Sequence, residues 1–226
     1  MRKILSLSLI MLFLAPEAQA QLAEISGQVF LPSVKREQRA FRGKAYRNRL
    51  SASSVSKERS EILQSSFIDV IVSAHPLSFI AGTTPLSDAK ILQKDANFIP
   101  RVVPVTVGTA VQFINKDNFF HNVFSITPGS EFNIGRRPTN VVRSQVINQV
   151  GEIKIFCDIH AQMNAFILCL DTPYFTRVEP NGRYLLSDLP DGDYEIRIYH
   201  PDLTGLTERV SIKDAVSLKL NFTLAD

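Results

Sequence analysis

EIKIFCDIHAQMNAFILCL, residues 152–170, is the stretch whose reading decides the fold. Residues 153–156 read as a strand running into Cys157, and 165–170 read as the next strand. Between them Cys157, His160 and Met163 place a thiolate, an imidazole and a thioether within seven residues. A further histidine, His121, lies 36 residues upstream in Asn118-Phe119-Phe120-His121-Asn122. Two histidines and a cysteine around a metal, with a methionine as a long axial ligand, are the donor set of a mononuclear electron-transfer copper site. Soft sulfur holds Cu(I), imidazole also suits Cu(II), and a compromise geometry lets an electron pass with little rearrangement. The donor set points to redox traffic rather than hydrolysis.

Strand alternation also bears on the second cysteine. Two cysteines in an exported chain pair by default. If Met163 faces a metal, however, Ala165, Ile167 and Cys169 face the same way on the period-two rule. Cys169 then reads as a small buried hydrophobe rather than a disulfide partner of Cys157.

Outward from this stretch, almost everything after residue 60 reads as short strands rich in Val, Ile and Phe. They are expected over 68–74, 103–107, 109–114, 122–126, 145–147 and 152–156, punctuated by Gly108, the 115–118 turn, Pro128-Gly129 and Gly151. Such spacing predicts an all-β sandwich or barrel. A helical turn or two is expected only over 55–64. Towards the C-terminus, turns at 179–183 and 190–193 separate strands at 184–186 and 194–199, and 216–224 reads as a last alternating strand.

PNGRYLLSDLPDGDYEIRIYH, residues 180–200, resembles the carboxypeptidase regulatory-like, transthyretin-related sandwich. The I-x-G-x-V strand usual in that family is matched by Ile25-Ser26-Gly27-Gln28-Val29, and its V-x-V strand by Val70-Ile71-Val72. Both precede the metal motif, so the resemblance implies one sandwich, residues 21–87 and 172–226, split around an inserted unit. Two domains in series is the alternative.

The inserted stretch, 88–171, resembles the cupredoxins. It carries Phe98-Ile99-Pro100, the pattern V-x-V-G-x-x-V-x-F-x-N-x-D from Val105 to Asp117, and Phe156 just before the cysteine. Its C-x2-H-x2-M spacing is the short one of amicyanin. The whole chain is similar to periplasmic proteins labelled methylamine-utilisation or cupredoxin-domain proteins. The resemblance implies a Greek-key sandwich holding one type 1 copper, with His121, Cys157 and His160 as equatorial ligands and Met163 axial. It gives Asn122 a bracing role, by hydrogen bonding between the two ligand-bearing loops.

The remaining features bound the function. Residues 1–20 read as a signal peptide, with basic Arg2 and Lys3, an apolar run over 4–14 and Ala18-Gln19-Ala20 for cleavage. Export to the periplasm follows as an expectation, as a soluble chain with no membrane span. The formal net charge is only +3, which gives no argument for nucleic acid. Nine Lys and Arg against two Glu over 35–59 read first as a solvated loop, then as a docking site for an acidic partner.

Four histidines in all argue against an oxidase or nitrite reductase, which needs a second copper centre. His75 and His200 read as structural histidines. Zinc could take Cys157, His121 and His160 with water, but the placed methionine argues for copper. The leading expectation is therefore a non-enzymatic electron carrier with a transient redox partner. A copper-delivery protein and a β-sandwich binding module are the alternatives; the three methionines in the whole chain do not make the open clusters that delivery uses. His160 is the expected electron port, among Ile159, Ala161 and Pro128, with Arg136 and Arg137 steering from the rim.

Overall fold

The computed structural model describes residues 22–32 and 67–226. The segment expected to target the chain, the basic stretch 35–59 and the helical turn expected over 55–64 lie outside these residues.

The chain is all-β, and its strands sort into two pairs of packed sheets. Strands β1 (Ala23–Phe30) and β2 (Ile71–Pro76) come first. Next are β3 (Lys90–Lys94), β4 (Asn97–Ile99), β5 (Val102–Thr106), β6 (Thr109–Asn115) and β7 (Phe124–Ser125). They are followed by β8 (Phe132–Asn133), β9 (Val142–Ile147), β10 (Gly151–Phe156) and β11 (Asn164–Leu170). Sheet order β4-β3-β6-β9 faces sheet order β5-β11-β10-β7-β8. Inward residues of the two sheets, among them Ile91, Val111, Ile153, Ile155 and Ile167, form one core. Met163, Ala165, Ile167 and Cys169 all belong to it, as strand alternation requires. Both cysteines are free and buried.

A second pair of sheets uses both ends of the described chain. It adds β12 (Phe175–Arg177), β13 (Arg183–Leu189), β14 (Gly192–Tyr199), β15 (Leu206–Ile212), β16 (Leu218–Lys219) and β17 (Phe222–Thr223). One sheet runs β12-β2-β14-β15; in the other β1 lies between β13 and β16 and also pairs with β17. Ile25 pairs with Leu186, and Gln28 with Arg183. Ile25, Val29, Val72, Tyr194 and Ile196 are among the residues that close this core.

The expected strand over 216–224 is two short strands, both parallel to β1. Between them Leu220 N–H donates to Ser26 O (2.9 Å) and Gln28 N–H donates to Asn221 Oδ1 (2.9 Å). The chain therefore crosses directly over Gly27. A Cβ there would stand 1.6 Å from Leu220 O, so the glycine of the I-x-G-x-V stretch is what permits the approach. The expected 122–126 strand shrinks to β7, and His121 just before it forms an isolated bridge with Arg137.

A third, smaller core joins the two sandwiches. Val102, Phe166, Leu168 and Leu170 meet Ile71, Phe175 and Tyr199. At its edge Arg101 grips Asp202 with two bonds (2.6 and 2.9 Å), Arg177 donates to Val102 O (2.6 Å) and to Ile68 O, and Tyr199 Oη donates to Glu152 (2.7 Å). Strand β11 is thus apolar on both faces because each face meets a different core. Among the described residues no helix is long and apolar enough to cross a membrane.

Candidate metal centre

Two loops at one end of the sandwich formed by β3–β11 converge on Cys157. Strand β10 delivers the cysteine, and the connection to β11 folds back on itself: Met163 N–H donates to His160 O (3.0 Å) and Cys157 N–H donates to Met163 O (3.3 Å). His121 arrives on the β6–β7 connection. Its backbone is pinned by paired bonds with Arg137, His121 N–H to Arg137 O (3.2 Å) and Arg137 N–H to His121 O (2.7 Å). Pairing of Phe156 with Phe124 brings the two loops side by side.

Cys157 Sγ lies 3.9 Å from His121 Nδ1 and 3.9 Å from His160 Nδ1. Ligand atoms of the three residues all lie within 4.8 Å of one another. First-row ions bind imidazole at about 2.0 Å and thiolate at about 2.3 Å, so donors spaced in this way reach a single ion from different sides. His121 and Met163 are each 1% exposed and Cys157 5%, while His160 is half-buried at the protein surface. Met163 shares a core with Cys157. A thiolate, two imidazoles and a buried thioether suit copper better than zinc, for which thioether is a poor ligand.

Two residues that the sequence reading passed over complete the arrangement. Asp117 Oδ2 lies 2.7 Å from His121 Nε2, and both side chains are buried. Burial pushes the Asp117 carboxyl up, but the Ala96 N–H, His121 and the Asp95 N–H together hold it below the usual carboxylate range. Phe119 packs its ring against both histidines, with centroids 4.9 Å from His121 and 5.3 Å from His160. It is 42% exposed and so stands between the histidines and solvent. The Asp117 signal was a carboxylate four residues before a candidate ligand histidine; in N-x-D it reads simply as a turn residue.

Asn122 is buried, but its bonds differ from the brace expected of it. Its Oδ1 accepts the Val123 N–H (2.7 Å), within its own loop, and its carbonyl accepts Gln93 Nε2 (3.2 Å). It anchors the His121 loop to β3, while Asp117 takes hold of the histidine itself.

At the surface, Ile159, Ala161 and Pro128 are exposed, as is Phe120. Arg136 is exposed and pairs with Asp158 at 3.4 Å. His75 lies far along the chain in β2, bonded to Ser73 and Asp171. Burial pushes the Cys169 thiol up to about 11, aided by the charge of Asp171, which leaves it a protonated core side chain.

No protein-family model and no curated protein matches the chain. Among solved structures it is similar to a purple cupredoxin from Nitrosopumilus maritimus, at 23% identity over 37% of this chain and 100% of that one, TM-score 0.34. A copper-containing nitrite reductase from Thermus scotoductus is 21% identical over 42% of this chain and 25% of that one, TM-score 0.36. Reduced amicyanin variants are also similar, one at 17% identity over 43% of this chain and 99% of that one, TM-score 0.35.

Proposed function

We propose that this chain is an exported type 1 copper protein that passes single electrons between redox partners. The observation that carries the reading is one cysteine sulfur flanked at 3.9 Å by the Nδ1 atoms of two histidines, with a buried methionine closing the same turn. One copper bound there would supply the Cu(II)/Cu(I) couple. Cys157, His121, His160 and Met163 would hold it. Strand ends and paired backbone bonds fix three of these residues before any metal arrives, so little rearrangement accompanies a change of charge. Phe119 and the core under Cys157 keep water away from the sulfur. His160, with exposed Ile159 and Ala161 beside it, offers a small apolar contact suited to a transient partner. Division of the chain at residues 88 and 171 belongs to the same reading; pairing of β1 with β13 supports it.

Adding Cu(II) to the purified chain without residues 1–20 tests the proposal. One equivalent should bind and give an intense blue colour, from thiolate-to-copper charge transfer, with the narrow EPR splitting of such centres. A colourless one-to-one complex would overturn it. A copper-delivery protein is the second reading, favoured by the half-exposed His160. Repeated reduction and reoxidation separates the two: a carrier keeps its copper, and a delivery protein loses it to an acceptor.

A further inference from the structure

The Asp117 carboxylate is tied into the fold from three sides, by two backbone N–H groups and by His121. Its Oδ1 accepts the Asp95 N–H at 2.7 Å and its Oδ2 accepts the Ala96 N–H at 3.0 Å. The same Oδ2 lies 2.7 Å from His121 Nε2. Its backbone is equally constrained: Asp117 N–H donates to Asn115 Oδ1 (2.9 Å), and Thr139 Oγ1 donates to Asp117 O (2.6 Å). Asn115 Nδ2 in turn holds Phe119 O (2.7 Å) and Arg137 O (3.0 Å), the latter on the residue that bridges to His121.

Asp95 and Ala96 form the two-residue turn between β3 and β4, and both lie in the left-handed region, at φ 53° and 54°. Non-glycine residues there cost roughly 1–2 kcal/mol each. The two N–H groups that this turn presents both end on Asp117. The turn holds a carboxylate beneath the histidine, by the same pair of bonds with which the like turn Asp214-Ala215 (φ 54° and 53°) holds Asp191.

We infer that Asp117 is a positioning residue for the metal: it fixes His121 as an Nδ1 donor and lowers the reduction potential of the ion held by Cys157, His121 and His160. The inference rests on the proposed copper site and names what tunes it. A carboxylate accepts and never donates when ionised, so His121 carries its proton on Nε2 and keeps the Nδ1 lone pair, aimed at the side where Cys157 Sγ stands. A negative charge on the far nitrogen also makes the ring a stronger donor. Both side chains are shielded from water (0% and 8% exposed), so solvent screens that charge little. A nearby buried negative charge favours the more positive oxidation state, Cu(II). His160, on its half-exposed turn against Phe119, is free to serve as the contact with a partner while Asp117 and His121 set the electronics from the buried side.

Two measurements on the full mature chain test this. In the metal-free wild type, ¹⁵N-labelled imidazole spectra should show His121 protonated on Nε2; a proton on Nδ1 overturns the inference whether or not copper binds. Asp117→Asn, which keeps the shape and can still accept the Asp95 N–H, should weaken Cu(II) binding about 10–100-fold and Cu(I) binding much less. A tenfold preferential loss of the oxidised form raises a one-electron potential by about 59 mV. Asp117→Glu should recover part of the shift if it can reach Nε2, and its unfolding midpoint reports whether the turn has survived. Unchanged potential and unchanged Cu(II) affinity in a folded Asp117→Asn would overturn the assignment. Failure of the wild type to take up copper refutes the proposed function instead and leaves the tautomer result to decide the role of Asp117.

Discussion

Two histidine–aspartate pairs in this molecule share the same bond and differ in everything beyond it. His121 Nε2 meets Asp117 at 2.7 Å, and His75 Nδ1 meets Asp171 at 2.8 Å. The second nitrogen separates them. In His75 it meets the Ser73 hydroxyl at 3.0 Å, a hard partner that completes a hydrogen-bonded relay. In His121 it faces a cysteine sulfur at 3.9 Å, with His160 equally close to that sulfur. Distances of 3.9 Å to sulfur are long for a strong hydrogen bond, yet suitable for sharing an ion. A buried histidine with both nitrogens satisfied reads as structure; one with a nitrogen turned towards a cysteine sulfur is a candidate ligand.

The connectivity of Ser73, His75 and Asp171 is that of a nucleophile relay, but Ser73 and His75 lie on one strand, β2, and Asp171 is 56% exposed. Arg197, paired with Ser73 across β2 and β14, is itself held by Glu195 at 2.6 Å. Burial, and then the charge of Arg197, hold His75 below its ordinary value of 6.5, against the opposing pull of Asp171. This histidine is kept neutral to pack between the sandwiches.

The largest expected effect breaks the comparison on the metal. Cys157→Ser should abolish the visible absorption of the copper-loaded chain, and His121→Gln should abolish or strongly shift it, whereas His75→Gln should leave the spectrum unchanged. A spectral change in His75→Gln equal to that in His121→Gln would erase the distinction.

A smaller effect concerns stability. His75→Gln strands the buried Ser73 hydroxyl and should cost about 1–3 kcal/mol, read as a lower denaturation midpoint at unchanged slope. It should also flatten the acid side of the stability curve. A histidine whose folded value is depressed contributes stability above 6.5 that is lost as pH falls towards the folded value. The wild type should therefore weaken on acidification below about 6.5 more steeply than the variant; parallel curves would show that His75 is not buried neutral. Smallest of all is Asp171→Asn. The exposed carboxylate should be worth no more than about 1 kcal/mol, and a larger loss would mean that the relay contributes more than packing.

How much of this was legible depended on whether the information was local. Cys157, His160 and Met163 lie on one turn, so their spacing alone implies a shared target. Strand alternation placed Ala165, Ile167 and Cys169 on one inward face, but the second core that takes Phe166, Leu168 and Leu170 on the other face depends on the neighbouring sandwich. Asp117 was hidden because a turn carboxylate looks the same whether it faces water or a histidine. The β3–β4 hairpin was missed because Asp95-Ala96 lacks the glycine that usually marks left-handed turns; what supports it there lies 21–22 residues away. Strands β16 and β17 were read as one because the crossing over Gly27 is a tertiary event.

That crossing strand sets an order of events for the growing chain. Gln28 of β1 finds Arg183 of β13, so β1 leaves the ribosome long before its neighbour. At 5–20 residues per second the wait is roughly 8–30 s. Strands β3 to β11 pair among themselves and can complete their sheets while β1 is still single. An unpaired strand edge waiting that long is a template for the wrong partner, and the polar Glu24, Ser26 and Gln28 that alternate along β1 make it a less adhesive one.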